Sequence, residues 1–223
     1  MKKIFPFCFL LLALPSFSQG NQPWKSFFSY YDIVDISQSS TTVYGAASSA
    51  VFSSNIGTNE LKTITSVDGL KAETITAIHY SPEYKKTLVG NSNGLLLIVN
   101  DDNSVSQRVD IVQESTVAAA KKKINHIYEY EGKAYISCDF GIAVFNLGLM
   151  EFGDTYYLGP NGAEIAVSQS TIANGYIYAA LPTHGLYRGS LSNPNLNDYS
   201  QWLPYIDGQW NCVAAYNNNV FIS

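Results

Sequence analysis

The chain has 223 residues, with 13 Lys and Arg against 18 Asp and Glu, for a formal charge of −5. That balance argues against a nucleic-acid partner, which needs a basic stripe to neutralise phosphates. The one basic cluster, Lys121-Lys122-Lys123, follows three alanines and reads as a solvated connection or short helical turn between strands.

Residues 1–18 read as a secretory signal peptide: Lys2 and Lys3 give a positive start, Ile4 to Leu14 an apolar stretch, and Ser16-Phe17-Ser18 a small-x-small cleavage site. The mature chain, 19–223, is expected to begin near Gln19. Cys8 lies ahead of most of the apolar stretch, where a lipid-modified cysteine cannot become the new N-terminus. The apolar run is short of the about 20 residues that span a bilayer, and no later run is longer, so the mature chain has no predicted transmembrane segment.

Beyond the signal, Trp24 to Tyr30 forms a β-type run suited to completing the last sheet of a closed ring. Apolar or alternating strands then recur as Asp32 to Ser37, Ile75 to Tyr80, Ile124 to Tyr130, Ile165 to Ser170 and Asn211 to Tyr216. Each is followed by a polar turn such as Glu131-Gly132 or Asn174-Gly175, then by a second strand centred on Val43-Tyr44, Leu88-Val89, Tyr135-Ile136, Ile177-Tyr178 or Val220-Phe221. Small neighbours (Gly45, Ala46, Gly90, Ser137, Ala179, Ala180) let adjacent sheets approach. A third strand opens at Ala50, Gly94, Gly141 and Gly185, which are 44, 47 and 44 residues apart. Glycine at that corner supplies positive φ. The fourth, outer strands are placed at Leu61 to Thr65, Arg108 to Val112, Glu151 to Tyr157 and Gln201 to Leu203.

A strand-built period of about 40–45 residues is that of one propeller blade. The fold is therefore expected to be all-β, a β-propeller of four-stranded blades. About four and a half units are counted, ending at Ser223 inside a fifth blade, so the chain reads as the N-terminal part of a propeller truncated at its C-terminus.

The stretch Asp68-Gly69-Leu70, then Ile75, Ile78 and Leu88 to Leu95, resembles the repeat of bacterial two-component regulator propellers, and Gly141-Ile142 and Gly185-Leu186 keep its last element. The tryptophan usual in the second strand is replaced by Leu88, Tyr135 and Ile177. A fuller likeness is to the PorZ-type N-terminal propeller of the type IX secretion system. It runs through Trp24-Lys25-Ser26-Phe27-Phe28, Tyr30-Tyr31-Asp32-Ile33, Val43-Tyr44-Gly45-Ala46, Val51-Phe52-Ser53 and Asp68-Gly69-Leu70. The resemblance implies an exported scaffold at the periplasmic or outer-membrane surface, in the complex that matures cargo and attaches it to anionic lipopolysaccharide. Its implied partners are other secretion-complex proteins, a surface sortase and anionic lipopolysaccharide. The rival reading is a periplasmic propeller of a hybrid two-component regulator that senses oligosaccharide; a propeller lyase or glycosidase is the third.

No catalytic constellation stands out, so a non-enzymatic protein is expected, with no cofactor, no catalytic residue and no metal ligand assigned, and with the ligand-binding residues unknown. His79 and His126 fall on inner strands, where they either face a channel ligand or serve as hydrogen-bonded structural groups, the favoured reading; His184 lies in a turn. Asp32, Asp35, Glu129 and Asp139 are available as carboxylates for glycoside cleavage, yet nothing singles out a pair. Asn100 to Ser104 lacks the order of a calcium hand and reads as a hairpin loop. Cys138 and Cys212 match no zinc or redox spacing and are expected to be buried thiols, with a disulfide between neighbouring blades as the alternative. Of the 16 tyrosines, most are assigned to packing, and Tyr156, Tyr157 and Tyr205 are left as candidates for binding.

Overall fold

The computed structural model describes residues 32–71 and 73–223. The signal peptide, Cys8 and the Trp24 to Tyr30 run lie outside the described residues. Eighteen described strands form four four-stranded antiparallel sheets and one two-stranded sheet, each a meander in chain order. Blade I comprises β1 (Ile33–Gln38), β2 (Thr42–Ala47), β3 (Ala50–Asn55) and β4 (Leu61–Ile64). Blade II comprises β5 (Ile75–Ser81), β6 (Lys86–Asn91), β7 (Leu96–Asn100) and β8 (Val105–Arg108). Blade III comprises β9 (Ile124–Tyr130), β10 (Lys133–Cys138), β11 (Gly141–Asn146) and β12 (Glu151–Tyr156). Blade IV comprises β13 (Gln169–Ala173), β14 (Tyr176–Leu181), β15 (Gly185–Ser190) and β16 (Leu203–Ile206). Blade V has β17 (Val213–Tyr216) and β18 (Asn219–Ile222). The first strands of successive blades lie side by side, so the sheets form an open propeller arc.

Burial on both faces explains why the middle strands are almost wholly apolar. Successive residues of a strand point to opposite faces. In β7, Leu96 and Ile98 enter the core shared with blade III, while Leu97 and Val99 enter the core shared with blade I. In β11, Ala143 and Phe145 face blade II and Ile142 and Val144 face blade IV. The cores lie between blades, so no sheet is buried without its neighbours. Gly90 shows how tightly they meet: a Cβ there would collide with Ile124 of the next blade.

The glycine corners differ from one another. Gly141 and Gly185 open their strands with φ of 147° and 96° and pair with Cys138 and Leu181. Gly94 also has positive φ, 89°, but sits in a longer turn, and β7 begins two residues later. The better register mark is the end of the third strand. Asn55, Asn100, Asn146 and Ser190 stand 45, 46 and 44 residues apart. Their side chains organise the following hairpin, as when Asn146 Oδ1 accepts from the amides of Gly148 and Leu149. Ala50 pairs with Ala47 across a two-residue turn that needs no glycine.

Four expectations are corrected. The segment 165–168 is an irregular connection, and β13 begins at Gln169; Val167 is buried between blades III and IV without sheet partners of its own strand, so an alternating pattern here marks packing only. Arg108 to Val112 is not the outer strand of blade II. That strand is β8, and the chain then turns into a short helix α1 (Asp110–Gln113), which places Ile111 in the core between blades II and III. The outer strand of blade IV follows Gln201 instead of containing it. Asp198 caps a 3₁₀ turn at Tyr199–Gln201 by accepting from Ser200 N, and Trp202 is buried with its Nε1 donating to Leu196 O. Pro204 is tolerated in β16 because that strand is an edge. Finally, Lys122 is not solvated: its stem is buried and Nζ donates to Val112 O at 2.6 Å.

Candidate functional site

Polar side chains recur on the first strands of blades I to IV, and most of them bond to the following blade. Asp35 accepts from Ile78 N at 2.8 Å and Ser37 Oγ from Tyr80 N at 2.8 Å. Thr76 Oγ1 donates to Ile124 O at 2.6 Å, Asn125 Nδ2 to Val167 O at 3.0 Å, and Gln169 Oε1 accepts from Val213 N at 3.2 Å. These partners are 42 to 48 residues apart, one blade on. A buried backbone group needs a partner, and here side chains supply it where no sheet ladder joins two blades. Burial raises the Asp35 carboxyl above its ordinary value, and the amides of Ile78 and Ile36 pull it back.

At the junction of blades II and III, Glu129 takes two bonds from the preceding blade: His79 Nε2 lies 2.9 Å from Oε2, and Ser81 Oγ donates to Oε1 at 2.9 Å. This cluster floors a shallow bowl of about 700 Å³ on the axial side, bordered by Gln38, Glu83 and Glu131. His126, three residues before Glu129, turns the other way. Its Nε2 lies 3.2 Å from the Gln169 amide nitrogen, and its buried Nδ1 has no partner among the described residues. Desolvation, with His79 adding to it, lowers its pKa to about 4. The imidazole is therefore neutral near pH 7, Nε2 accepts from the Gln169 amide, and the amide oxygen is left for Val213.

The carboxylates named from sequence do not converge as a glycosidase pair. Asp35 is committed to two backbone amides, Glu129 to His79 and Ser81, and Asp139 to Asn125 Nδ2 at 2.7 Å, while Asp32 is exposed. His184 is exposed, and its Nδ1 lies 2.7 Å from the hydroxyl of its neighbour Thr183. Among the described residues no three His, Cys, Asp or Glu side chains gather as metal ligands. Asn100 to Ser104 is a hairpin loop in which Asp102 accepts from Ser104.

Two tyrosine candidates are packing groups. Tyr156 is buried against Trp202, ring centroids 5.6 Å apart, and Tyr157 packs on Phe140. Tyr205 is exposed and, with Tyr176, flanks the Arg188 guanidinium at 4.4 and 4.7 Å. Cys138 is buried, its thiol pushed well above the ordinary value by desolvation, whereas Cys212 is exposed, and both are free. Cys212 precedes β17, and its backbone exchanges hydrogen bonds with Ser223 while its side chain stays outside the core. Sequence reasoning missed the bridging roles of Ser37, Thr76, Asn125 and Gln169. The available signal was a polar residue on the first strands of blades I to IV, each with a counterpart strand one repeat later.

The sequence matches the family profile of the type IX secretion system PorZ N-terminal β-propeller domain over residues 43–203, well over half of the chain. No curated protein matches it. Among solved structures, the chain is similar to PorZ of Porphyromonas gingivalis, described as an essential bacterial surface component of the type IX secretion system. The TM-score is 0.73 at 16% identity, covering 89% of this chain and 26% of that one. It is also similar to the extracellular domain of BT4673 from B. thetaiotaomicron, assigned to a hybrid two-component system, with TM-score 0.68, 15% identity and coverage of 90% and 27%. A third likeness is to Sqt1 of Saccharomyces cerevisiae, with TM-score 0.62, 13% identity and coverage of 82% and 52%. The chain thus spans about a quarter of the length of the PorZ structure. At such identities these structures speak for the propeller fold alone, and the family rests on the profile, whose matched region runs from β2 to the start of β16: the chain belongs to the PorZ N-terminal β-propeller family.

Proposed function

We propose that this chain is an exported, non-enzymatic scaffold that binds partner proteins of the type IX secretion surface complex, with anionic lipopolysaccharide as a further ligand. The observation that carries the reading is the family match across blades I to IV. In support, the carboxylates Asp35 and Glu129 are spent in bonds that hold blades together, a use that suits a rigid platform. Residues 1–18 direct export in this reading, and the mature chain begins near Gln19. The test is deletion of the gene in the source bacterium. Accumulation of unprocessed, unattached cargo is the expected result, and normal processing and surface attachment overturn the proposal.

A second reading is favoured by the likeness to the BT4673 extracellular domain: a sensing propeller that binds oligosaccharide. The whole gene distinguishes them, since a sensor continues into a membrane helix and kinase and a secretion component into a β-sandwich.

A further inference from the structure

Three interfaces join two complete blades, and their facing positions can be compared through the register set by Asn55, Asn100, Asn146 and Ser190. Two residues before each mark stand Ser53, Ile98, Val144 and Arg188. Ile98 and Val144 are buried in the cores toward blades III and IV. One residue before the mark stand Val99 and Phe145, which face back toward the preceding blade. The II–III interface thus pairs Ile98 with Phe145, whereas the I–II interface pairs Ser53 with Val99. The missing volume is visible as a cleft of about 340 Å³ between blades I and II. This lies within the range of about 300–1,000 Å³ of small-ligand pockets.

The cleft is polar with one aromatic wall. Tyr44 and Tyr80 stack with centroids 4.3 Å apart and planes 12° apart. Burial, with the Tyr80 hydroxyl adding to it, holds the Tyr44 phenol above its ordinary value, so it remains a neutral donor. Ser53, Thr87 and Asn103 also line the cleft, as does the Asp101 carboxylate, and the side chains of these four make no hydrogen bond with any described residue. Thr87 is buried, so its hydroxyl meets solvent only through this opening. A donor and acceptor set of two hydroxyls, an amide and a carboxylate beside a flat aromatic wall matches a ligand rich in hydroxyl groups and CH faces. Of the charged residues that line the cleft, Lys62 lies 3.7 Å from Glu60, whereas Lys86, whose Nζ donates to Asn100 Oδ1 at 2.6 Å, is not part of the lining. The lining charge left over is that of Asp101, which disfavours an anion.

We propose that the cleft between blades I and II is a binding site for a neutral sugar residue. The site shares only Tyr80 with the axial bowl among the described lining residues, is distinct from the scaffold role, and stands or falls independently of it. The test is saturation-transfer NMR and calorimetry on the intact protein with glucose, galactose, mannose and N-acetylglucosamine, using glucuronate as the charged control. At least one neutral sugar is expected to bind, with glucuronate at least tenfold weaker. Ser53→Ile, which installs the residue used at the II–III interface, is expected to abolish binding, and Asp101→Ala at the exposed loop to weaken it at least tenfold. Should Ser53→Ile fail to fold, Asp101→Ala decides alone. Absence of binding by every neutral sugar, equal binding of glucuronate, or unchanged affinity in the folded variants overturns the proposal. Loss of sugar binding with normal cargo secretion leaves the two functional readings apart.

Discussion

Replacing Glu129 with Ala removes the acceptor for two bonds from blade II, those of His79 Nε2 and Ser81 Oγ, both at 2.9 Å. The side chains of His79 and Glu129 are 23% and 14% exposed, so water restores only part of what is lost. A hydrogen bond to a charged group contributes about 1.5–3 kcal/mol. Discounting for partial exposure and for relaxation around two bonds that share one carboxylate gives an expected loss of about 2–3 kcal/mol. For a chain of this size each kcal/mol moves the melting temperature by about 2–4 °C, so Glu129→Ala should melt about 5–10 °C lower in calorimetry of the intact protein at pH 7. Ser81→Ala should cost less alone. In the double variant the two effects should fall short of additivity by about 1 kcal/mol, because they remove the same contact. A loss under about 0.5 kcal/mol for Glu129→Ala, or full additivity, refutes the view that this residue joins blades II and III.

His126 gives a pH dependence with a defined sign. Its folded pKa of about 4 lies below the ordinary 6.5, so the unfolded chain takes up a proton first as the pH falls. Above 6.5 the group contributes no pH dependence; between 6.5 and 4 stability should drop by up to about 3 kcal/mol and then level off. Urea titrations of wild type and His126→Gln across that range should show a smaller drop in the variant. Gly141→Ala should cost far more than Gly175→Ala. Both have positive φ, but a Cβ at Gly141 runs into Tyr156 O, whereas at Gly175 it meets open space. The expected costs are above about 3 kcal/mol and about 1 kcal/mol, read from denaturant midpoints. Gly90→Ala should destabilise by about 1–3 kcal/mol through its clash with Ile124, and adding Ile124→Val should recover part of that loss. A thiol reagent should modify Cys212 within minutes and Cys138 only on unfolding, since the latter is buried and its thiol is held protonated.

The middle strands were the most legible part of the sequence, because burial on both faces leaves an uninterrupted apolar run such as Leu96 to Val99. Outer strands were legible only where no competing apolar use intervened. Glu151 to Tyr156 was found, but Val109, Ile111 and Val112, which imitate a strand, serve a helical turn and its packing. Ile165 and Val167 misled in the same way, since alternation records which side chains are buried and not whether the backbone has a ladder partner. Of the candidate sites, the histidines on the first strands and their use as hydrogen-bonded structural groups were legible, and their partners Glu129 and Gln169 were not. That use depends on which residues of two blades come face to face, which the shift of Gly94 relative to Gly141 already hides from a one-dimensional alignment. The I–II cleft becomes readable only after Ser53 is set against Ile98 and Val144.

The bonds between blades share a polarity. In each pair among the described residues that joins a side chain to a neighbouring blade's backbone, from Asp35 with Ile78 to Asn174 with Asn218, the side chain belongs to the earlier blade and the peptide group to the later one. A growing polypeptide thus presents each finished wedge as a ready template, its hooks already in place, before the next wedge is synthesised. Assembly can run in the direction of synthesis without waiting for the far end, and a hook lost early in the chain loosens the grip on the wedge that follows.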